Sequence, residues 1–211
     1  MPRVFRYADA PRLPEGQDID PRTLVPGGEG PVEIEIGPGR GGFLLDRLEA
    51  APQARMIGLE IRLKWATIVD RRLVERGFGT RGRVFAEDAR FALRRLRAGT
   101  AGSVFLHFPD PWWKKRQRKR LVASADLLRE IARLLVPGGE LFFQSDVAER
   151  AEQFDALARS EPLLLPWGET AYVADNPYGA RSPRERRAIA DGLPIVRLRY
   201  RRVATPSPVV A

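Results

Sequence analysis

The sequence predicts an α/β fold: a single doubly wound domain built on an open, mostly parallel β-sheet. Three observations lead to this prediction. Short apolar runs alternate with amphipathic segments of helical period along most of the chain. A glycine cluster follows the first of these runs, as at the first strand-to-helix turn of doubly wound sheets. The 211 residues suit one domain, and no internal repeat or long linker divides them.

The first half of the chain supplies three strands, each followed by a helix. Residues 1–31 carry many prolines and glycines and no sustained period, so we expect an N-terminal arm that packs on the domain or reaches a ligand. The domain itself then spans residues 32–211. The predicted strands are 32–36, 54–60 and 82–88, and the predicted helices are 42–51, 61–77 and 89–97. Pro52 follows the first helix, and Gly77 closes the second.

The second half continues the alternation. The predicted elements are a strand at 103–108, a helix at 121–139, a strand at 140–146 and a helix at 147–159. The run SVFLHF (103–108) is almost continuously apolar, which is typical of a strand buried on both faces. Residues 137–139, Pro-Gly-Gly, are expected to end the helix before them. An apolar patch at 163–167 and an arginine-rich segment at 195–202 complete the chain, and we expect an antiparallel strand near this end.

The composition restricts the classes of function. A net charge of +9 and a pI near 10.7 favour a polyanionic partner, either nucleic acid or an anionic membrane surface, although a basic surface can also serve solubility alone. The absence of cysteine excludes disulfides and thiol catalysis, and the single histidine, His107, argues against a metal site or a Ser-His-Asp triad. No secretory signal and no apolar stretch of about 20 residues is present, so we expect a cytoplasmic protein without a membrane span.

The glycine cluster lies in the segment EIEIGPGRGG (33–42). Gly37, Gly39 and Gly42 satisfy the G-x-G-x-x-G pattern of dinucleotide sites, while Gly41 also gives G-x-G-x-G. Glycines at these positions indicate close approach of the backbone to a ligand or tight packing of strand against helix. The glycines alone do not choose between a dinucleotide and another nucleoside cofactor.

Three acidic residues narrow the choice of cofactor. Each lies at the carboxyl end of a predicted strand, where ligands of open α/β sheets bind. Glu35, just before the glycines, would repel a pyrophosphate but suits the ammonium and sulfonium of S-adenosylmethionine, either by holding the ammonium or by orienting the loop. Glu60 is placed to accept hydrogen bonds from ribose hydroxyls. Asp88 can accept from the adenine amine, or it can simply cap the next helix.

The segment FPDPWWKKRQRKR (108–120) follows the fourth strand. Prolines on both sides of Asp110 stiffen the backbone, so its carboxylate is presented at a strand end, where it can accept hydrogen bonds from a base edge. Trp112 and Trp113 can stack on bases or line the pocket. Six of the seven residues 114–120 are basic, which suits the neutralisation of several phosphates, with a solvated charge patch as the alternative.

Taken together, these segments resemble the tRNA (guanine-N7-)-methyltransferase family of the bacterial single-subunit type. The matching motifs are EIGPGRGGFL (35–44), GLEIR (58–62), EDAR (87–90), FPDPWWKKRQRKR (108–120), LVPGGELFFQSD (135–146) and SPRERR (182–187). The resemblance implies a class I, Rossmann-like methyltransferase domain, S-adenosyl-L-methionine as cofactor and tRNA as substrate. It also implies methylation of N7 of guanosine-46 in the variable loop.

Positions matching the family motifs carry implied roles. Asp110 would be the active-site residue, and it would line the cofactor site together with Glu35, Gly37, Gly39, Gly41, Glu60 and Asp88. The implied substrate-binding residues are Lys114, Asp146, Ser182 and Glu185. The implied RNA-contacting residues are Lys115, Arg116, Arg118, Lys119 and Arg120. No metal is implied.

Three other readings of these residues stay open. The first is a nucleic-acid methyltransferase acting on an exocyclic amine, since the loop Pro109–Trp112 is close to the Asp-Pro-Pro-aromatic loops of such enzymes. The second is a non-catalytic RNA-binding protein that keeps the fold, and the third is a dehydrogenase using the glycine loop for NAD. The sequence leaves the oligomeric state undetermined.

Overall fold

The structure, a computed structural model, describes residue 7 and residues 9–109 and 124–204. Its helices are α1 (Gly42–Ala50), α2 (Leu63–Glu75), α3 (Ala89–Arg95), α4 (Ala125–Leu134), α5 (Ala148–Arg159) and α6 (Pro183–Ala190), with a short 3-10 helix at Pro21–Leu24. Its strands are β1 (Val32–Ile36), β2 (Met56–Leu59), β3 (Gly82–Phe85), β4 (Ala101–His107), β5 (Leu135–Ser145), β6 (Leu164–Pro166) and β7 (Val196–Arg202).

The seven strands of the described residues form one sheet in the order β3-β2-β1-β4-β5-β7-β6. Strands β1 to β5 are parallel to one another, and β7 is antiparallel to both β5 and β6. The predicted fold class is confirmed, including the antiparallel strand near the C-terminus. The chain leaves β1 for β2 on one side and returns to β4 on the other, so the carboxyl ends of β1 and β4 border the crevice where such sheets bind ligands.

Helices cover both faces of the sheet. On one face, α3, α4 and α5 pack apolar side chains such as Leu93, Leu128 and Phe154 against Ile34 and Leu106 of the central strands. On the other face, α1 and α2 contribute a separate buried group that includes Phe43, Leu44, Val69, Leu73, Phe105 and Phe142. The central strands are therefore buried on both sides, as the continuous apolar run in β4 predicts.

The segment before β5 differs from the predicted helix at 121–139. The described helix, α4, ends at Leu134, and Leu135 already has extended backbone angles (φ −63°, ψ 138°). Leu135 pairs with Ala101 at the start of β4, so the strand begins before Pro137. Proline clashes with helical geometry at the residue before it and at the carbonyl four residues back, which ends the helix earlier than the prediction.

The part of the N-terminal arm that the structure describes packs on the domain. Leu13 and Val25 are buried in the core, and Ile19 forms an isolated parallel bridge with Leu96. Pro11 accepts a hydrogen bond from the Ala86 amide, N to O 2.7 Å, so the arm crosses the carboxyl end of β3. No helix within residues 9–109 and 124–204 is long and apolar enough to cross a membrane.

Candidate active site

The glycine loop connects β1 to α1 in a conformation that only glycine adopts easily. Gly37, Gly39 and Gly41 have φ values of 71°, 55° and 75°. At Gly41 a Cβ would lie 2.3 Å from Cγ1 of Val69 in α2, so close packing also requires glycine there. A Cβ at Gly37 would meet no atom within 4 Å, so the described structure leaves room for a ligand in front of this residue.

The third glycine of the G-x-G-x-x-G pattern has a packing role. A Cβ on Gly42 would lie 2.6 Å from Cδ of Pro183, the first residue of α6. Asp46 of α1 also accepts a hydrogen bond from the Arg181 amide (3.2 Å) and forms an ion pair with Arg186. These contacts place the start of α6 directly against the glycine loop. The segment predicted to bind substrate is thereby brought to the predicted cofactor loop.

Glu60 ties the glycine loop to β2. Its side chain is 2% exposed, and its two oxygens accept from the Gly39 amide and the Arg62 amide, each at 2.9 Å. The Arg62 guanidinium also binds the carboxylate, with Nε to Oε1 at 3.0 Å. Glu60 therefore fixes the loop conformation in addition to standing at the strand end where a ribose-binding acid is expected.

Asp88 caps α3, which is the second of the two roles that the sequence left open. Its carboxylate accepts from the Arg90 amide at 3.0 Å and forms an ion pair with the Arg90 guanidinium. The hydrogen bond from Arg90 lowers the pKa of Asp88, so this carboxylate is ionised at neutral pH. Capping does not occupy every lone pair of a carboxylate, so the same group can still accept from a ligand.

Glu35 lies at the carboxyl end of β1, next to the glycine loop, with a side chain 2% exposed. Its Oε1 is 3.1 Å from Nδ1 of His107 at the end of β4. Its Oε2 is buried and has no hydrogen-bond partner among the described residues. A buried carboxylate oxygen without a donor is costly, so this atom is a candidate acceptor for a ligand donor.

The substrate side of the predicted site gathers around α6. Ser182 caps this helix by accepting from the Glu185 amide at 3.1 Å. Asp146, just after β5, forms a two-pronged ion pair with Arg184, with Nε to Oδ2 at 3.0 Å and Nη2 to Oδ1 at 3.1 Å. Glu185 is fully buried and accepts from three side chains: Gln144 at 3.0 Å, Asn176 at 2.9 Å and Arg197 at 3.1 Å.

The remaining predicted residues lie outside the described part of the chain. Asp110, the predicted catalytic residue, and Lys114 fall in residues 110–123, as do Lys115, Arg116, Arg118, Lys119 and Arg120. The structure describes the chain on both sides, with Pro109 just after β4 and Ser124 capping α4. The described chain leaves β4 through Phe108 and Pro109, at the edge where Glu35 and Glu60 lie, because the carboxyl ends of parallel strands share one edge.

Sequence reasoning missed α6 and several of its partners. The signal was present, since Ser182-Pro183-Arg184-Glu185 has a capping serine, a proline at the first helical position and a glutamate three residues after the cap. The contacts of Glu185 with Gln144, Asn176 and Arg197 had no such signal, because they join residues distant in sequence. No cluster of three or more histidine or acidic residues suited to a metal occurs in the ranges that the structure describes.

Comparisons with known proteins find relatives that match most of the chain. A protein-family profile described as "Putative methyltransferase" matches residues 29–198. A tRNA (guanine-N(7)-)-methyltransferase of Parasynechococcus marenigrum (strain WH8102) is 37% identical over 199 residues, which cover 89% of this chain and 82% of that protein. Another, of Myxococcus xanthus (strain DK1622), is 34% identical over 174 residues, covering 82% of this chain and 84% of that protein.

A solved structure supports the fold independently of these names. The 16S rRNA methyltransferase KamB superposes with a TM-score of 0.63 over 92% of this chain and 98% of that chain, at 14% sequence identity. The sheet order, the glycine loop after β1 and the family profile define a methyltransferase of the doubly wound class. Within that class, the chain belongs to the tRNA (guanine-N(7)-)-methyltransferase family, which confirms the resemblance seen in its motifs.

Proposed function

We propose that this protein methylates N7 of guanosine-46 in the variable loop of tRNA, with S-adenosyl-L-methionine as the methyl donor. The products are 7-methylguanosine and S-adenosylhomocysteine. Family membership supports the reaction. The observation in the site that carries most is the buried Glu35 Oε2, which has no partner among the described residues and lies beside the glycine loop. It requires a donor, and the ammonium of this cofactor is one.

The other described residues of the cleft suit the same cofactor. Glu60 would accept hydrogen bonds from the ribose hydroxyls, and Asp88 would accept from the adenine amine. A Cβ on Gly37 would meet no atom within 4 Å, so a cofactor could approach the backbone closely there, and the left-handed turns at Gly39 and Gly41 give the loop its shape. When bound, the cofactor supplies a methyl group on a cationic sulfonium. A carboxylate at Glu35 favours that cationic ligand over a pyrophosphate, which it would repel.

On the substrate side, the protein has mainly to position the base. N7 of guanine keeps a free lone pair, so no proton has to be removed before it attacks, and alignment with the methyl group provides most of the acceleration. Asp110, Asp146 and Glu185 are the proposed acceptors for the N1–H and N2–H₂ donors of guanine. Their negative charge also stabilises the positive charge that the ring gains on methylation. Asp110 is the proposed catalytic residue among them.

Asp146 and Glu185, the two proposed acceptors that the structure describes, differ in how accessible they are to a bound base. The Asp146 side chain is 18% exposed and shares its carboxylate with the partly exposed Arg184. Glu185 has no exposed surface, and three donors hold it. We therefore propose that Asp146 contacts guanine directly. Glu185 would accept a hydrogen bond from guanine only after one of its three present donors has moved away from a carboxylate oxygen. Ser182 supports both by capping the helix that carries Arg184 and Glu185.

The six basic residues within 114–120 supply the proposed contacts with the tRNA backbone. Lys114 would reach the substrate guanosine, and the phosphate contacts are assigned to Lys115, Arg116, Arg118, Lys119 and Arg120. Contacts of this kind add affinity without reading sequence, so the choice of guanine is left to the acidic residues of the cleft.

Paired tRNA transcripts test the proposed target. Two transcripts that differ only at position 46, guanosine in one and adenosine in the other, are incubated with the protein and methyl-labelled cofactor. We expect label in the guanosine-46 transcript and at most a background amount in the other. Equal labelling of both transcripts would contradict position 46 while leaving methyl transfer to tRNA intact. Labelling of neither would contradict the proposed reaction.

A further inference from the structure

We propose that His107 is a positioning residue for the cofactor: it holds one oxygen of Glu35 so that the other faces the cofactor's ammonium. This inference rests on the function proposed above and adds to it a residue that belongs to none of the family motifs. It concerns the two oxygens of one carboxylate, which have different surroundings. Oε1 lies 3.1 Å from Nδ1 of His107, while Oε2 is buried without a partner among the described residues.

The hydrogen bond between His107 and Glu35 is strengthened by burial. The side chains of His107 and Glu35 are 3% and 2% exposed, so water does not compete for the contact. A hydrogen bond to a charged group is stronger than a neutral one, and the low dielectric of the interior strengthens it further. The contact also joins the ends of β1 and β4, the two strands that border the ligand crevice.

The chemistry of the pair fixes which atom donates. When Glu35 is ionised it only accepts hydrogen bonds, and the proton between the two groups then lies on Nδ1 of His107. In the neutral ring, Nε2 is then an acceptor, and it too is buried without a partner among the described residues. The histidine therefore acts as a donor toward Glu35 and not as a proton carrier for a transfer in which no base is required.

Aromatic side chains hold the imidazole in place. The ring of Phe43 meets it edge-on, with 4.1 Å between centroids, and Phe105 stacks on it at 5.8 Å. Phe142 is in edge contact at 6.0 Å. A ring confined in this way presents Nδ1 in one direction. Since the Glu35 side chain is fixed by that donor, less conformational freedom is lost when a ligand binds, which raises affinity.

Two substitutions at one position separate the hydrogen bond from the packing. In His107→Asn, the side-chain amide can place an N–H near the position of Nδ1, so donation to Glu35 is retained while the ring is lost. In His107→Phe, a ring of similar shape remains among the aromatic neighbours, but the donor is lost. Binding of two ligands is measured by calorimetry: S-adenosylhomocysteine, which carries the ammonium, and methylthioadenosine, which lacks the amino acid part.

We expect a loss of binding affinity for only one of the two variants and only one of the two ligands. His107→Phe should weaken S-adenosylhomocysteine binding about tenfold, whereas His107→Asn should stay within about threefold of the unchanged protein. Methylthioadenosine should bind all three proteins within about twofold of one another, because it has no ammonium for Glu35 to hold. This second ligand also verifies that each variant has an intact adenosine pocket.

A double-mutant cycle with Glu35→Gln completes the test. If His107 acts through Glu35, adding His107→Phe to Glu35→Gln should weaken S-adenosylhomocysteine binding no further. If the unchanged protein and His107→Phe bound S-adenosylhomocysteine equally well, the role of His107 would be overturned, while the proposed cofactor would stand. Parallel losses with both ligands would also overturn that role, by showing a packing effect. If the unchanged protein bound neither ligand, the proposed cofactor would be wrong as well.

Discussion

At the scale of single residues, the acidic residues proposed to bind ligands differ in the partners that their carboxylates already have. Glu60, Asp88 and Asp146 are each paired with an arginine: Arg62, Arg90 and Arg184 respectively. A hydroxyl, amine or base edge that binds one of these acids must share the carboxylate with a guanidinium or displace it. Glu35 differs, since its partner is a histidine at one oxygen and its other oxygen has no described partner.

The catalytic role of Asp110 is tested by replacing it with alanine. We expect Asp110→Ala to abolish methyl transfer to tRNA, because the base then loses a proposed acceptor that aligns N7 and favours the cationic product. Thermal unfolding should be unchanged. Asp126→Ala is the matched control, because Asp126 is exposed and forms a surface ion pair with Arg129. Turnover of Asp110→Ala close to that of the control would refute the assignment.

At the scale of elements, α6 organises the cleft more than its length suggests. It packs its first residue, Pro183, on Gly42 of the glycine loop, and it carries both Arg184 and Glu185 toward the end of β5. The first five strands and the first five helices could be predicted because their apolar periodicity is a local property. The position of α6 could not, since it depends on contacts such as Arg186 with Asp46, which are far apart in the sequence.

Gly42→Ala tests this contact. The added Cβ would lie 2.6 Å from the Pro183 ring, so α6 or the loop must shift, which should cost about 1–3 kcal/mol of the free energy of unfolding. The higher helix propensity of alanine offsets up to about 1 kcal/mol of that. Differential scanning calorimetry should show a melting temperature lowered by roughly 2–4 °C for each net kcal/mol.

Gly168→Ala provides the control for this prediction. Its Cβ would approach no atom closer than 3.9 Å, so its melting temperature should stay near that of the unchanged protein. We expect Gly42→Ala also to weaken binding of S-adenosylhomocysteine, because the shift displaces the glycine loop. A Gly42→Ala protein as stable as Gly168→Ala would show that the contact between α6 and the loop is unimportant.

At the scale of the whole molecule, the doubly wound sheet places both halves of the site on one edge. Glu35 is the penultimate residue of β1, Glu60 directly follows β2, and Asp88 and Asp146 come after β3 and β5. The sequence predicts this clustering, since each acid directly ends or follows a recognisable strand and parallel strands end at the same edge. It does not reveal that Glu185 is enclosed by three donors or that His107 faces Glu35, because those distances depend on how the strands and helices pack.

The identity of the methylated nucleoside tests the proposed function most directly. The protein is incubated with methyl-labelled S-adenosyl-L-methionine and bulk tRNA that lacks the modification, and the nucleosides of the digested product are separated and identified by mass spectrometry. We expect the label to be recovered as 7-methylguanosine. Recovery of the label in a guanine or adenine methylated on its exocyclic amine, or no transfer of label at all, would contradict the proposed function.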